Sequence, residues 1–360
     1  MSNLADRIFV VKAGSLLTAH GILTEGTSLV VKSGIIDQIG QSINYSNELP
    51  VVDFSSFTIC PTFCDYHLHF SKKGLSDMEA IVKVLLQHGI TEVWDGGDRD
   101  FTGLQCKKAF QGRIDVVTSS CALYQRGSYG SFLGIAVTSL DEAIYLVDHA
   151  AAKGVDTLKV INSGVVDPQT GGITKGGFQR DDLKRIIDYA SKKGFPVICH
   201  ANGDKAAMDA IDAGASTIVH GFFITPETLT KVVKNNVTFI PTIYAFYSLI
   251  DRYDDPKIQE SIVQITEQHL HTVKMASDMG VRILAGSDSS PSFLPYGKGF
   301  AEEIRFLQKA GLSIEKVLLT ATKGTLKRGD IADFLVLNGL KIHSIFIKGK
   351  KQIISLEAAP

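Results

Sequence analysis

Strand-like and helix-like segments alternate eight times through the middle of the chain. The strand-like runs are rich in Val, Ile and Leu, and they lie at 58–70, 92–95, 115–122, 157–161, 195–200, 217–220, 237–242 and 282–287. The segments between them show the apolar spacing of amphipathic helices. Several end in a glycine, such as Gly154 and Gly214, where a helix C-cap requires a positive φ. Such alternation predicts an α/β protein built as a (β/α)8 TIM barrel.

A doubly wound parallel sheet is the competing architecture. That fold would place a glycine-rich phosphate-binding turn after its first strand, and no such turn follows 58–70. The barrel interpretation takes residues 58–322, a span close to the roughly 250 residues of a typical TIM barrel.

The two ends of the chain have a different pattern from the middle. Residues 7–58 are short Val- and Ile-rich runs separated by Gly and Asn turns, and the tail repeats this pattern at 333–337, 342–347 and 352–355. We therefore predict a small β-sandwich-like domain formed by 1–57 together with 323–360, beside a barrel domain at 58–322.

Charge and cysteine content limit the partners and the compartment. Lys and Arg number 37 and Asp and Glu 38, so the chain lacks the basic excess of a nucleic-acid or membrane-surface protein. No uncharged apolar run reaches the ~18 residues of a membrane span. Five cysteines, together with Asp6 and Arg7 where a signal peptide would be apolar, predict a cytoplasmic protein with reduced thiols. A small-molecule substrate is the expected partner, and homo-oligomer formation is left open.

Histidines and a carboxylate stand at the ends of the predicted strands, where catalytic groups of a barrel belong. His67 and His69 are two apart on the first strand, so their side chains leave the same face. His200 ends the fifth strand, His220 ends the sixth, and Asp288 follows the eighth. One such histidine alone is more often a core residue, but four with a carboxylate favour a site for a divalent cation.

Lys159 and Asp288 each have two interpretations. A lysine inside the apolar fourth strand is costly to bury as an ammonium, so its pKa is expected to fall. It could form an ion pair with a carboxylate such as Asp288, or its neutral amine could add CO2 and become a carbamate. Asp288 could bind a metal, or it could cap a helix in its Ser287-Asp288-Ser289 context.

These residues resemble the amidohydrolase superfamily, in its binuclear branch with a carboxylated lysine. The resemblance is carried by Asp65-Tyr66-His67-Leu68-His69, Lys159, His200, His220 and Gly286-Ser287-Asp288. The stretch 158–221 is most similar to imidazolonepropionase- and prolidase-like metal-dependent hydrolases, and 332–337 resembles the tail strand of their small β domain.

The resemblance implies a complete metal site. His67 and His69 would bind the more buried of two divalent ions with Asp288, His200 and His220 would bind the second, and a CO2-derived carbamate on Lys159 would bridge them. A metal-bridging hydroxide would attack the carbonyl carbon of a C–N bond, and Asp288 would move the proton as general base and then acid. Zinc suits this donor set, while manganese, cobalt and iron remain open.

The substrate is less well defined than the site. We expect hydrolysis of an amide or peptide bond, in a dipeptide or N-acyl amino acid. The alternatives are a heterocycle deaminase, an imidazolone-type cyclic amide hydrolase, or an inactive barrel that serves binding or assembly. Lys159 disfavours the deaminase, because such relatives usually lack this lysine, and the filled ligand positions disfavour the inactive barrel.

Four residues are candidates for substrate binding. Arg126, in the loop after the third strand, could hold a substrate carboxylate through two hydrogen bonds. Tyr129 and Tyr244 are candidates for lining the pocket. Asn202 stands where some prolidase-like relatives have a tyrosine that holds a carboxylate, and this difference disfavours an Xaa-Pro dipeptide.

Overall fold

A computed structural model describes residues 8–18, 23–70 and 75–352 of the 360-residue chain. It contains two compact units, of which the first comprises Met1–Cys64, Leu85–Thr91 and Ser313–Pro360 and the second Asp65–Val84 and Glu92–Leu312. The domain boundaries at 57/58 and 322/323 stay a prediction. Asp6 and Arg7, and residues 353–355 of the predicted tail strand, lie outside the described residues.

The first unit contains one eight-stranded sheet with strands from both ends of the chain. Its strands are β1 (Ile8–Leu17), β2 (Leu23–Glu25), β3 (Ser28–Lys32), β4 (Ile35–Gly40), β5 (Val51–Pro61), β17 (Phe334–Asn338), β18 (Lys341–Ile347) and β19 (Lys350–Lys351). They pair in the order β19-β18-β17-β5-β1-β3-β4, and β2 pairs with β1. The unit also includes α10 (Ile314–Ala321).

One apolar cluster of this sheet takes alternate residues of its strands, such as Val11 and Ala13 of β1 and Phe334 and Val336 of β17. The intervening Leu335 of β17 is fully buried as well, so this strand is covered on both faces. The two ends of the sheet approach each other, since a Cβ on Gly34 would lie 2.8 Å from the carbonyl oxygen of Lys348. The structure thus shows a single sheet whose ends lie close together, and the sandwich-like domain stays a prediction.

The second unit alternates short strands with helices. Its strands are β6 (Phe63–Leu68), β7 (Ile90–Asp95), β8 (Asp115–Thr118), β9 (Leu123–Gln125), β10 (Ile135–Val137), β11 (Leu158–Ile161), β12 (Val166–Asp167), β13 (Gly172–Ile173), β14 (Val197–Ala201), β15 (Thr217–His220) and β16 (Thr238–Ile240), of which β6 and β7 begin in the first unit. Its helices are α1 (Leu75–Gln87), α2 (Thr102–Ala109), α3 (Leu140–Lys153), α4 (Arg180–Lys192), α5 (Asp204–Ala213), α6 (Pro226–Lys234), α7 (Ile243–Tyr247), α8 (Pro256–Asp278) and α9 (Lys298–Lys309), with a 3-10 turn at Ser248–Arg252.

Strand pairings in the second unit connect eight segments in a closed ring. The order is β6-β7-β8 in one sheet and β11-β14-β15-β16 in another. Ser119 pairs with Thr157 and joins β8 to β11. Phe239 of β16 pairs with Ile283, and Leu68 of β6 pairs with Ser289, so residues 283–289 close the ring. The ring places the C-terminal ends of the strands at one rim.

Three predicted strands differ in detail from the structure. The run 58–70 divides at Thr62 into β5, which belongs to the terminal sheet, and β6. The run 115–122 is the strand β8 only as far as Thr118. A separate strand, β9, begins at Leu123, beyond the predicted run, and pairs with different neighbours. The run 282–287 is held by isolated pairings rather than by a continuous ladder. Side-chain patterns show that a segment is buried and extended, but they do not show which neighbours complete its hydrogen bonds.

The helix ends follow local sequence. Ser139 caps α3 by accepting a hydrogen bond from the backbone N–H of Glu142, and Gly154 ends that helix with φ 77°. Gly214 ends α5 with φ 99°. Within the residues that the structure describes, no helix combines the length and apolar character needed to cross a membrane.

Candidate metal centre

Six side chains converge where the strands of the ring end. His67 lies in β6 and His69 directly follows that strand. Lys159 lies in β11, His200 in β14 and His220 in β15. Asp288 follows the segment that closes the ring. We call these six residues the candidate metal centre. His67, His69, Lys159 and His200 are buried and His220 is partly buried, whereas the Asp288 side chain is 21% exposed.

Three of these residues form a tight group of potential ligands. Nε2 of His67 and Nε2 of His69 lie 3.4 Å and 3.3 Å from Oδ1 of Asp288, and the three ligand atoms are all within 4.8 Å of one another. Asp288 has φ 55°, an uncommon conformation for a residue with a side chain. Its N–H donates to the carbonyl oxygen of His67 at 2.6 Å, which holds it beside the two imidazoles.

Two glycines make room for these histidines. A Cβ on Gly96 would lie 2.2 Å from Cε1 of His69, and a Cβ on Gly286 would lie 2.7 Å from Cβ of His67. A side chain at either position would therefore displace an imidazole. This explains physically why the Gly-Ser-Asp sequence begins with a glycine.

The remaining two histidines lie next to each other. The ring centroids of His200 and His220 are 4.4 Å apart. Nε2 of His200 is 2.9 Å from the carbonyl oxygen of Gly164. Because a carbonyl oxygen only accepts, Nε2 carries the proton and donates it, which leaves Nδ1 for a cation. Nδ1 of His220 is 2.7 Å from Oγ1 of Thr242, which leaves Nε2 free for a cation when Nδ1–H donates to that hydroxyl.

Lys159 lies among the histidines and not in an ion pair. Its Nζ is 3.5 Å from Nε2 of His67, and the carboxylate of Asp288 is not among its hydrogen-bonding or ion-pairing partners. Burial lowers the pKa of Lys159 to about 8, although the charge of Asp288 opposes this shift. The geometry argues against the ion-pair interpretation. The lowered pKa leaves a larger share of neutral amine near neutral pH than an ordinary lysine has, although the ammonium still predominates at pH 7.

The electrostatic environment suits a cation better than protons. Burial is the main cause that lowers the pKa of His200 to about 4 and holds the pKa values of His67 and His220 well below 6.5. These imidazoles are therefore neutral at pH 7 and can donate lone pairs to a metal. Nδ1 of His69 is buried without a hydrogen-bond partner. Three nearby nitrogen and oxygen donors fit one divalent ion of the zinc type, and His200, His220 and Lys159 stand beside them.

The centre lies at the floor of a cavity of about 720 Å3, within the usual range for small-molecule sites. Tyr129 and Asn202 line this cavity, as predicted. Asn202 uses its amide to fix the backbone, since Nδ2 donates to Gly164 and Oδ1 accepts from the N–H of Phe222. Asn202 therefore also has a structural role, since it links the backbone at Gly164 to the backbone at Phe222.

Two residues predicted to bind substrate, Arg126 and Tyr244, lie outside the lining of the cavity. Arg126 is exposed and does not line the cavity, and its charge contributes instead to the lowered pKa of Glu142 on α3. Tyr244 is also absent from the lining, because its ring packs 5.5 Å from that of Phe306 on α9. The direction of a side chain in a loop or short helix depends on packing, which the sequence pattern does not show.

Several supporting residues became apparent only in the structure. Thr242 contacts His220. The sequence could have indicated this residue, because it stands at the end of the seventh predicted strand. Glu303 is fully buried and accepts the N–H groups of Ile243 and Tyr244, the first residues of α7. Burial raises the pKa of Glu303 to about 8. Its place in the apolar stripe of α9, with Phe300, Ile304 and Leu307, was a signal that a helical plot could have shown.

The chain belongs to the amidohydrolase family, because the model of that family matches residues 58–354. The superfamily predicted from the sequence is thereby confirmed, and with it a hydrolase that acts on carbon–nitrogen bonds. Membership also implies a TIM-barrel-like α/β fold and general dependence on metal ions.

Several individual relatives are distant in sequence but cover nearly all of the chain. Ochratoxinase from Aspergillus niger is 22% identical over 409 residues, covering 94% of this chain and 83% of that protein. A crystal structure of an Xaa-Pro dipeptidase with bound methionine superimposes with a TM-score of 0.79 at 19% identity, covering 96% of this chain and 99% of the other. Phenylurea hydrolase B superimposes with a TM-score of 0.74 at 15% identity, covering 97% of each chain. At these identities, the structural likeness shows a shared fold alone.

Proposed function

We propose that the protein is a metal-dependent hydrolase that cleaves the amide C–N bond of a small molecule at the candidate metal centre. The observation that carries this proposal is the convergence of His67, His69 and Asp288 on one point, with the Lys159 amine beside them. We further propose that the ring at 58–322 is a (β/α)8 barrel and that 1–57 and 323–360 form the small β domain.

The residues divide into two ligand sets. His67, His69 and Asp288 would hold one divalent cation, and His200 with His220 would hold the second. A carbamate formed from Lys159 and CO2 would supply an oxygen to each. This fits the lowered pKa of Lys159, because only the neutral amine adds CO2. Zinc is the proposed metal, since neutral imidazoles and a carboxylate are its usual ligands.

Asp288 is the proposed proton shuttle. When bound, two divalent cations would lower the pKa of a water molecule and polarise the substrate carbonyl oxygen. The Asp288 side chain is 21% exposed and lines the cavity, so a substrate can reach it. Its carboxylate can accept the proton of the attacking water and deliver it to the leaving nitrogen.

The relatives support an amide substrate without identifying it. Dipeptides and N-acyl amino acids remain candidates, because the names ochratoxinase and Xaa-Pro dipeptidase denote enzymes of that chemistry. A cyclic amide is a second candidate. A mononuclear deaminase is less well supported, since Lys159 lies 3.5 Å from a proposed ligand where it can join two ions. An inactive barrel is disfavoured by the complete donor set.

Lys159→Ala tests the centre. We expect the variant to lose most amide hydrolysis and about half of the metal bound per chain, with partial recovery on adding short-chain carboxylic acids, which can occupy the place of the carbamate. Lys205→Ala is the matched control, because that side chain is 86% exposed on α5. Metal content by mass spectrometry and activity after chelation and return of zinc or manganese are the measurements. Full metal occupancy in Lys159→Ala would show that the bridge assignment is wrong.

The setting of the protein is also a proposal. All five cysteines are free and buried, which agrees with a reducing cytoplasm. The near-neutral charge still gives no reason to expect nucleic acid or a membrane as a partner. Homo-oligomer formation stays an open prediction.

A further inference from the structure

The walls of the cavity differ in chemistry from its floor. The floor consists of the candidate metal centre and Asn202, whereas most of the remaining lining residues are aromatic or aliphatic. Two separate apolar clusters contribute these walls. A substrate whose scissile bond lies at the metal centre would contact both.

The first apolar cluster leads from solvent to the metal centre. Tyr129 packs against His200, with ring centroids 5.4 Å apart, and Phe132 packs against Tyr129 at 5.5 Å. Phe132 is 63% exposed although it lines the cavity. Ile161 and Leu133 complete this wall. The neighbouring rings of Phe132 and Tyr129 therefore provide a surface on which a flat apolar group can stack.

The second apolar cluster is packed more tightly. Phe222 and Phe246 lie with ring centroids 5.0 Å apart and are both largely buried. They belong to one cluster with Val166, against which Leu249 and Tyr253 pack. All five residues line the cavity. This wall is therefore formed before any ligand binds.

The charges around the cavity disfavour an anionic substrate. Within the described residues, Lys159 is the only lysine or arginine in the lining, and it belongs to the metal centre. The acidic residue in the walls is Asp167, whose carboxylate oxygens already accept hydrogen bonds from the N–H of Gln169 and the hydroxyl of Thr170. In the walls, away from the proposed metal ions, a substrate carboxylate would lose its hydration near an acidic group without gaining a basic side chain.

We propose that the enzyme hydrolyses uncharged amides that carry an apolar, preferably aromatic, group on each side of the C–N bond. This proposal rests on the proposed hydrolase function and narrows its substrate class. It departs from the dipeptides and N-acyl amino acids suggested by the sequence, because both have a carboxylate beside the scissile bond. Because two apolar walls adjoin the metal centre, we expect the enzyme to recognise both the acyl part and the amine part of the substrate.

Matched amides test the proposal with the full-length, zinc-loaded protein. N-phenylacetylbenzylamine is uncharged and apolar on both sides, and N-phenylacetylphenylglycine differs from it by one added carboxylate. N-acetylbenzylamine and N-phenylacetylmethylamine each lack one aromatic group. We expect kcat/KM to be about 100-fold higher for the first compound than for the carboxylate, because a charge would be desolvated without a partner. We expect a loss of at least about 10-fold for each missing ring.

Phe132→Ala tests the exposed wall. It should lower kcat/KM about fivefold for N-phenylacetylbenzylamine and for one of the two single-ring amides. The other single-ring amide should be unchanged, because Phe132 lies in only one of the two walls. Tyr145→Ala is the matched control, since Tyr145 is an equally exposed aromatic residue (66%) on α3 that does not line the cavity. Equal losses in both variants would remove Phe132 from substrate recognition.

The outcomes separate this proposal from the proposed function. Equal or better turnover of the carboxylate, or of N-acetylbenzylamine, would overturn the substrate class and leave the hydrolase standing. Failure to cleave any amide at full metal occupancy would instead overturn the hydrolase. In that case, calorimetry of the metal-free protein with N-phenylacetylbenzylamine and N-phenylacetylphenylglycine tests whether the cavity still prefers an uncharged ligand. Tighter binding of the neutral compound would support the cavity assignment, and equal or absent binding would refute it.

Discussion

His269 of α8 should make the stability of the second unit fall in mild acid. The side chain is 2% exposed, and its ring stacks on Phe222 with centroids 3.8 Å apart. Nε2 is 3.0 Å from the carbonyl oxygen of Pro241, so Nε2 carries the proton and Nδ1 is the unprotonated nitrogen. Nδ1 is buried without a hydrogen-bond partner. Protonation would therefore place an unpaired charge beneath a wall of the cavity.

The size of the effect follows from the pKa of His269. Burial lowers this pKa from 6.5 to about 4, and the bond to Pro241 opposes the shift only in part. Because the folded-state pKa is depressed, the unfolded chain takes up the proton first as the pH falls from 6.5 towards 4. The free energy of unfolding should drop by about 3 kcal/mol over this window, at about 1.4 kcal/mol per pKa unit. About 2 kcal/mol of this loss should occur between pH 7 and pH 5.

Urea titrations at pH 7 and pH 5 measure this loss. The single tryptophan, Trp94 of β7, reports on the unit that contains His269. His269→Gln should reduce the loss between the two pH values by about 2 kcal/mol, whatever its effect at pH 7. His271→Gln is the matched control, because His271 is exposed on the same helix. If His269→Gln and the unsubstituted protein lose the same free energy, the buried imidazole is not the source of the pH dependence.

Two further substitutions test side chains near the centre. Thr242→Val should weaken binding of one of two zinc ions about 10- to 100-fold, because it removes the hydroxyl that orients His220. Thr242→Ser should restore the affinity, and chelator competition measures zinc binding in both variants. Unchanged affinity in Thr242→Val would show that His220 needs no such partner. Arg126→Ala should leave kcat/KM unchanged for neutral and carboxylate-bearing amides alike, since Arg126 does not line the cavity. A raised KM confined to the carboxylates in steady-state assays would restore the contact predicted from the sequence.

The positions of the candidate ligands could be predicted because they depend on local pattern. Parallel strands that close a ring end at one rim, so a residue at the end of each strand is near its counterparts whatever the loops do. His67, His200 and His220 are therefore brought together by topology alone. Lys159 stood out because a charged group inside an apolar strand requires an explanation.

Side-chain direction beyond the strand ends could not be predicted in this way. Tyr129 and Tyr244 both follow strands of the ring, yet one packs on His200 and the other on Phe306. Loops and short helices have no fixed period, so the neighbours that pack against them decide which face is buried. Arg126 lies outside the cavity lining for the same reason.

The amino-acid sequence by itself determined the class of fold, the ring of strand ends and the six polar groups placed there, because strand period and helix caps act over a few neighbouring residues. Only the tertiary structure decided that Asp288 adopts a left-handed backbone beside two imidazoles and that Thr242 contacts His220. It also decided that Glu303 holds the first residues of α7, and that the cavity walls are mostly apolar and without a basic side chain. These features arise from contacts between residues distant in the chain, and their burial, which sets pKa values and substrate chemistry, exists only once the chain has packed.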